Sequence, residues 1–116
     1  MHSDVINSLA FSPESTLIAS GSEDDSAIVW NVSDGMLSKE FELDGHGDAV
    51  RSVAFSPVND LLATSSRDCT IKLWDVGDGA LMETLKGHSG IVDAIRFSPD
   101  GRLLVSGSQD YSVRFW

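Results

Sequence analysis

Short runs of leucine, β-branched and aromatic residues alternate along the whole chain with clusters of Ser, Asp, Gly and Pro. The alternation recurs about every ten residues, the spacing of an all-β fold built from hairpins. No stretch keeps the period of an amphipathic helix. The first run predicts a strand over residues 5–11, ended by Ser12-Pro13-Glu14, because proline fixes its own φ and has no N–H to give to a ladder. Residues 17–22 form a second strand, Glu23-Asp24-Asp25 a tight turn and 27–32 a third strand, after which Ser33-Asp34-Gly35 leads into a fourth over 36–43. The pattern then recurs as strands over 49–55, 61–66, 70–76 and 80–85. A third set covers 91–97, 103–108 and 112–116 and stops before a fourth strand. Asp34-Gly35, Asp78-Gly79 and Asp100-Gly101 supply the positive φ that tight hairpin turns require.

The recurrence has a fixed step. His2 to His46, Phe11 to Phe55 and Trp30 to Trp74 are each 44 residues apart, and His46 to His88, Phe55 to Phe97 and Trp74 to Trp116 are each 42. Three landmarks that keep step predict three in-phase units over 2–43, 45–86 and an incomplete 87–116, all within one repeat region, 1–116. A four-stranded meander buries little alone and has to stack face to face on its neighbours. Leu61-Leu62-Ala63 and Leu103-Leu104-Val105 are apolar on both faces, as a sheet packed between two others must be. The architecture that meets these conditions is all-β, a set of propeller blades: two complete four-stranded antiparallel meanders and a third lacking its outer strand.

Composition changes this picture little, since 41% hydrophobic and 22% charged residues are ordinary for a folded protein. Charge changes it more. The net charge of -10 is spread along the chain, which repels phosphate backbones and anionic lipid, disfavours direct nucleic-acid or membrane binding, and makes a basic partner the natural complement. Cys69 is the only cysteine, and small secreted domains generally carry several, so an intracellular setting, cytoplasmic or nuclear, is expected. The first residues lack the basic and apolar regions of a signal peptide, and no apolar run reaches the length of a membrane span.

Gly45-His46, Gly87-His88, the three Phe-Ser-Pro turns and Trp74-Asp75 resemble WD repeats of the beta-transducin type, and the resemblance covers essentially the whole chain. Met1 departs from the pattern where a Gly is usual, and Asn31 departs where Asp follows Trp. The resemblance implies a hydrogen-bonded tetrad in each blade: His2, Ser20, Asp24 and Trp30; His46, Thr64, Asp68 and Trp74; His88, Ser106, Asp110 and Trp116. Physical chemistry supplies a reason, because a Trp inside the stack needs an acceptor for its indole N–H, and a His can link that hydroxyl to an Asp. Ser22, Ser66 and Ser108 share the strand parity of the chosen hydroxyls, so the second strand offers two candidates in each blade.

Ser, His and Asp in line also suggest a serine hydrolase, whose nucleophile needs a base and whose base needs an orienting carboxylate. The trio occurs three times, each with a Trp to occupy the hydroxyl, and no copy stands out as a nucleophile, so no enzyme activity is expected. The three His lack a second ligand at short spacing, Glu23-Asp24-Asp25 lacks the alternating oxygens of a calcium loop, and no helix follows the glycines to cradle phosphate. No metal or cofactor is expected.

The resemblance implies a non-catalytic scaffold that binds a protein or peptide through the loops at one end of the blades. Candidate contacts are the positions where the repeats agree in place and differ in chemistry: Glu23, Arg67 and Gln109 before the turn Asp, and Asn7, Arg51 and Asp93 early in the first strand. Arg51 and Arg67 are expected to form a basic spot in an acidic rim, fit for a carboxylate or phosphate. Three blades cannot close a ring, so the chain is expected to be part of a larger propeller or, alternatively, a self-associating unit that completes a ring by oligomerisation.

Overall fold

The computed structural model describes all of residues 1–116 and contains eleven strands and no helix. β1 (Ile6–Phe11), β2 (Leu17–Ser22), β3 (Ala27–Ser33) and β4 (Met36–Leu43) form one sheet in that order. β5 (Val50–Phe55), β6 (Leu61–Ser66), β7 (Ile71–Asp75) and β8 (Leu81–Leu85) form a second. β9 (Val92–Phe97), β10 (Leu104–Ser108) and β11 (Val113–Phe115) form a three-stranded third. Neighbouring strands are antiparallel throughout, as in propeller blades. No strand end lies more than one residue from its sequence expectation.

The turns explain why the strands stop where they do. The Phe-Ser-Pro serines cap their own loops, Ser12 Oγ accepting from Leu17 N at 3.0 Å and Ser98 Oγ from Leu103 N at 3.0 Å. Gly35, Gly79 and Gly101 have φ of 74°, 75° and 73°, the left-handed conformation that the Asp-Gly pairs anticipate. Asp25, Cys69 and Tyr111 have φ of 70°, 72° and 68° in the turns after β2, β6 and β10, so Cys69 stands in a strained turn backbone.

The sheets stack face to face, with β1 against β5 and β5 against β9, so the first strands line a common axis. Two apolar layers hold the stack. Ala19, Val29, Leu43, Val50, Val53, Leu62 and Trp74 fill the layer between the first and second sheets. Ala54, Ala63, Ile71, Val92, Ile95 and Leu104 fill the one between the second and third. The middle sheet is covered on both sides, and β6 is buried from Leu62 to Ser66. The two outer faces are bare, with Ile6, Leu9 and Phe11 exposed on the first sheet and Val113 and Phe115 on the third. β11 is paired only with β10.

Close approach also sets how the first two sheets meet. A Cβ on Gly21 would lie 2.6 Å from Val50 Cγ1 and 3.1 Å from Val53 Cγ1, so β5 can seat on β2 only because residue 21 has no side chain.

Candidate functional site

The same four side chains meet in each sheet. Trp74 Nε1 donates to Thr64 Oγ1 at 2.9 Å, Thr64 Oγ1 lies 2.7 Å from His46 Nε2, and His46 Nδ1 lies 2.9 Å from Asp68 Oδ2. An ionised carboxylate can only accept, so His46 donates from Nδ1 and accepts at Nε2 from the Thr64 hydroxyl. Each proton therefore points one way, from indole to hydroxyl to imidazole to carboxylate, and a neutral imidazole satisfies every member. The first sheet repeats this with Trp30, Ser20, His2 and Asp24 at 2.9, 2.7 and 2.9 Å. The third has Trp116, Ser106, His88 and Asp110 at 2.9, 2.7 and 2.8 Å.

Of the paired hydroxyls in each second strand, the structure puts Ser20, Thr64 and Ser106 under the indoles. Ser22, Ser66 and Ser108 instead accept from the backbone N–H of Asp24, Asp68 and Asp110 and donate to the carbonyls of Asp4, Asp48 and Gly90. They pin the loop before the first strand to the turn after the second.

A fifth group is absent from the sequence expectation. Ser26 and Thr70 each donate to Oδ1 of their turn Asp at 2.7 Å, and Ser112 does so at 2.5 Å. The signal was available, because Ser26 to Thr70 is 44 residues and Thr70 to Ser112 is 42, the step of the other landmarks. A backbone N–H beside each His, at Ser3, Gly47 and Ser89, supplies a further bond to Oδ2.

These bonds set the acidities. Burial raises the Asp68 carboxyl, but donation from Thr70, His46, Gly47 N and Thr70 N outweighs it and lowers the pKa to about 2. The same opposition, with Ser26 the leading donor, holds Asp24 well below the usual carboxylate range. Asp110 is held low first by Ser112. Burial lowers His46, partly offset by Asp68, which keeps the imidazole neutral.

The Ser–His–Asp connectivity is that of a hydrolytic triad, but the hydroxyl is not a free nucleophile. Ser20, Thr64 and Ser106 are buried, and each accepts an indole N–H where an attacking lone pair would have to be free. The largest concavity, about 410 Å³, lies along the first strands at the Phe-Ser-Pro end, and its one ionisable side chain is Arg96. No three His, Cys, Asp or Glu side chains converge as metal ligands would.

The six candidate contact residues lie at the opposite end, and the structure links them. Asn7 Nδ2 donates to Val50 O at 3.1 Å, crossing from the first sheet to the second. Gln109 Nε2 donates to Asp93 Oδ2 at 3.1 Å. Arg51 Nη2 lies 3.2 Å from Asp93 Oδ1 and its Nη1 lies 3.8 Å from Glu23 Oε1, joining the third sheet to the first through the second. Arg67 Nη1 is 3.7 Å from Glu23 Oε2, and its Nε is 4.0 Å from Asp48 Oδ1.

The expected basic spot is therefore corrected. Arg51 and Arg67 are neutralised by Glu23, Asp48 and Asp93, because stacking the sheets brings carboxylates from both neighbours over the middle one. Asp48, outside the expected set, completes the chain of charge and also accepts from Ala49 N at 2.8 Å.

Among known protein families, the one described as WD domain, G-beta repeat matches the chain at residues 1–31, 37–75 and 79–116. No curated protein matches it. The second match starts within β4 and ends at Asp75 of β7, so the sequence unit straddles two sheets, one strand out of step with the folded one.

Proposed function

As the chain belongs to the WD-repeat family, whose members generally act as scaffolds for protein–protein interaction without catalysis, we propose that it is a non-catalytic scaffold that binds a protein or peptide at the rim carrying Asn7, Glu23, Arg51, Arg67, Asp93 and Gln109. The observation that carries this reading is the division of labour among polar residues. The Ser, Thr, His and Asp of the tetrads are consumed by bonds within the blades, while the rim charges are part exposed and differ from blade to blade. The partner segment is basic: Glu23, Asp48 and Asp93 outnumber the two arginines they hold, on a chain of net charge -10. No direct role for nucleic acid or membrane is proposed, and the setting is intracellular, cytoplasmic or nuclear.

A library of basic, neutral and acidic peptides tests the reading. The chain should retain Lys/Arg-rich peptides in a salt-sensitive way, and Glu23→Gln with Asp48→Asn should weaken that retention. Preference for acidic peptides, or retention unchanged in the double variant, would overturn the assignment.

A further inference from the structure

Arg67 stands in the turn after β6 and reaches over the junction of the first two sheets to Glu23, its counterpart one repeat earlier in the turn after β2. Its backbone is fixed, Arg67 N donating to Ala49 O at 2.9 Å. Its side chain is held far more loosely. The guanidinium lies 3.7 Å from Glu23 Oε2 and 4.0 Å from Asp48 Oδ1, beyond hydrogen-bond distance of both, and the side chain is 45% exposed.

Glu23 is poorly served by the cations around it. Its side chain is 27% exposed, yet Arg51 Nη1 at 3.8 Å and Arg67 Nη1 at 3.7 Å are both too distant to donate. Arg51 is committed elsewhere, with Nη2 3.2 Å from Asp93 Oδ1. Asp48 accepts from Ala49 N at 2.8 Å and has Arg67 as its one ion pair. Two carboxylates from adjoining sheets therefore share a guanidinium that hydrogen-bonds neither. A carboxylate holds a guanidinium best through two parallel N–H···O bonds of about 2.7–2.9 Å, a geometry that the planar fork of arginine offers and the ammonium of lysine does not. Tied to its own turn, Arg67 does not attain it, whereas an arginine on a separate chain approaches from solvent.

We infer that Arg67 is a built-in placeholder, and that an arginine side chain of the partner replaces it on Glu23 and Asp48. The inference rests on the reading of the rim as the site of a basic partner segment, and it names the residue that segment must carry. Displacement requires only that the Arg67 side chain rotate into solvent, because the turn keeps its bond to Ala49 O and exposed ion pairs of this length hold weakly. Arg67 competes from within the molecule, so apparent affinity is lowered by the fraction of time for which it covers the two carboxylates. A cation that bonds them better than Arg67 does is favoured, which selects arginine over lysine.

Two labelled peptides of equal charge, one with arginine and one with lysine at every basic position, decide it by fluorescence anisotropy. Wild type should bind the arginine peptide more tightly than the lysine peptide. Arg67→Gln and Arg67→Ala should each bind the arginine peptide about two- to fivefold more tightly than wild type. Arg51→Gln removes the same charge from the same rim and should show a smaller gain, and adding Glu23→Gln to Arg67→Gln should abolish the gain. Equal affinity for the two peptides, no gain in either Arg67 variant, or an equal gain in Arg51→Gln would overturn the inference while leaving the rim as the site. Failure of wild type and every variant to bind either peptide would overturn the rim reading itself, and this inference with it.

Discussion

His46 and Asp68 are joined across 2.9 Å, Nδ1 to Oδ2, with the imidazole buried and the carboxylate partly open to water. The pair makes stability depend on pH in two windows. Burial sets the folded pKa of His46 below 6.5, so under that pH the unfolded chain takes up the proton first and stability falls. The Asp68 carboxyl, at about 2 against an ordinary 3.8, is protonated first in the unfolded chain, and its contribution is lost as pH drops from the higher value to the lower. Urea midpoints should therefore decline from pH 7.5 to 5 and more steeply from 4 to 2. A midpoint unchanged between 7.5 and 5 would contradict a neutral, buried imidazole.

Breaking the chain of bonds elsewhere has a graded effect. Trp74→Ala should destabilise by about 3–5 kcal/mol, mostly through the cavity it leaves. Thr64→Val keeps the volume but strands an indole N–H and an imidazole nitrogen, for about 1–3 kcal/mol, and Asp68→Ala should cost a similar amount. Thr70→Ser, which keeps the hydroxyl that bonds Asp68, should change little, whereas Thr70→Val should lose roughly 1 kcal/mol. Equilibrium unfolding of the set measures each; a few tenths at both Trp74 and Asp68 would remove the tetrad from the structural argument.

The strands and tetrads were legible in the sequence because the repeat lets each landmark be checked three times. His46, Phe55 and Trp74 each find a partner at 44 behind and 42 ahead, which chance does not produce. The hydroxyl within β2, β6 and β10 was not fixed, since residues two apart in a strand point the same way and parity cannot separate Ser20 from Ser22. Ser26, Thr70 and Ser112 kept the period unnoticed, serine being common in turns. The pairing of the rim charges is hidden from the sequence for a different reason. Residue 51 lies between 23 and 93 only once three sheets have stacked, and no periodicity within one repeat says which charges will meet across two interfaces.

The tightness of the stack is testable at homologous positions. Gly21→Ala drives a methyl into Val50 and should destabilise by about 1–3 kcal/mol. Gly107→Ala should be near neutral in the monomer, where the same Cβ meets no atom. Ser65, at the equivalent place in β6, is fully buried with an Oγ that has no hydrogen-bond partner. Ser65→Ala should therefore stabilise, by on the order of 1 kcal/mol, because it removes an unpaired polar group without changing the shape of the contact. Loss of stability in that variant would mean that the hydroxyl is satisfied.

Arg51 couples the sheets through Asp93 at 3.2 Å and Glu23 at 3.8 Å, all three side chains part exposed. Water and salt weaken such pairs, so a double-mutant cycle of Arg51→Ala with Asp93→Ala should give only about 0.5–1 kcal/mol at low ionic strength, with Arg51–Glu23 smaller. Both couplings should shrink as salt approaches 1 M, where charges about 3 Å apart are at the limit of screening. Arg51→Glu is a larger perturbation, because it sets a third carboxylate between two existing ones and turns attraction into repulsion on both sides. Its stability loss should exceed that of Arg51→Ala at low salt and converge on it at high salt. If the two variants lose the same amount at every ionic strength, Arg51 contributes by packing its methylene stem and not by its charge, and the rim is not an electrostatic chain.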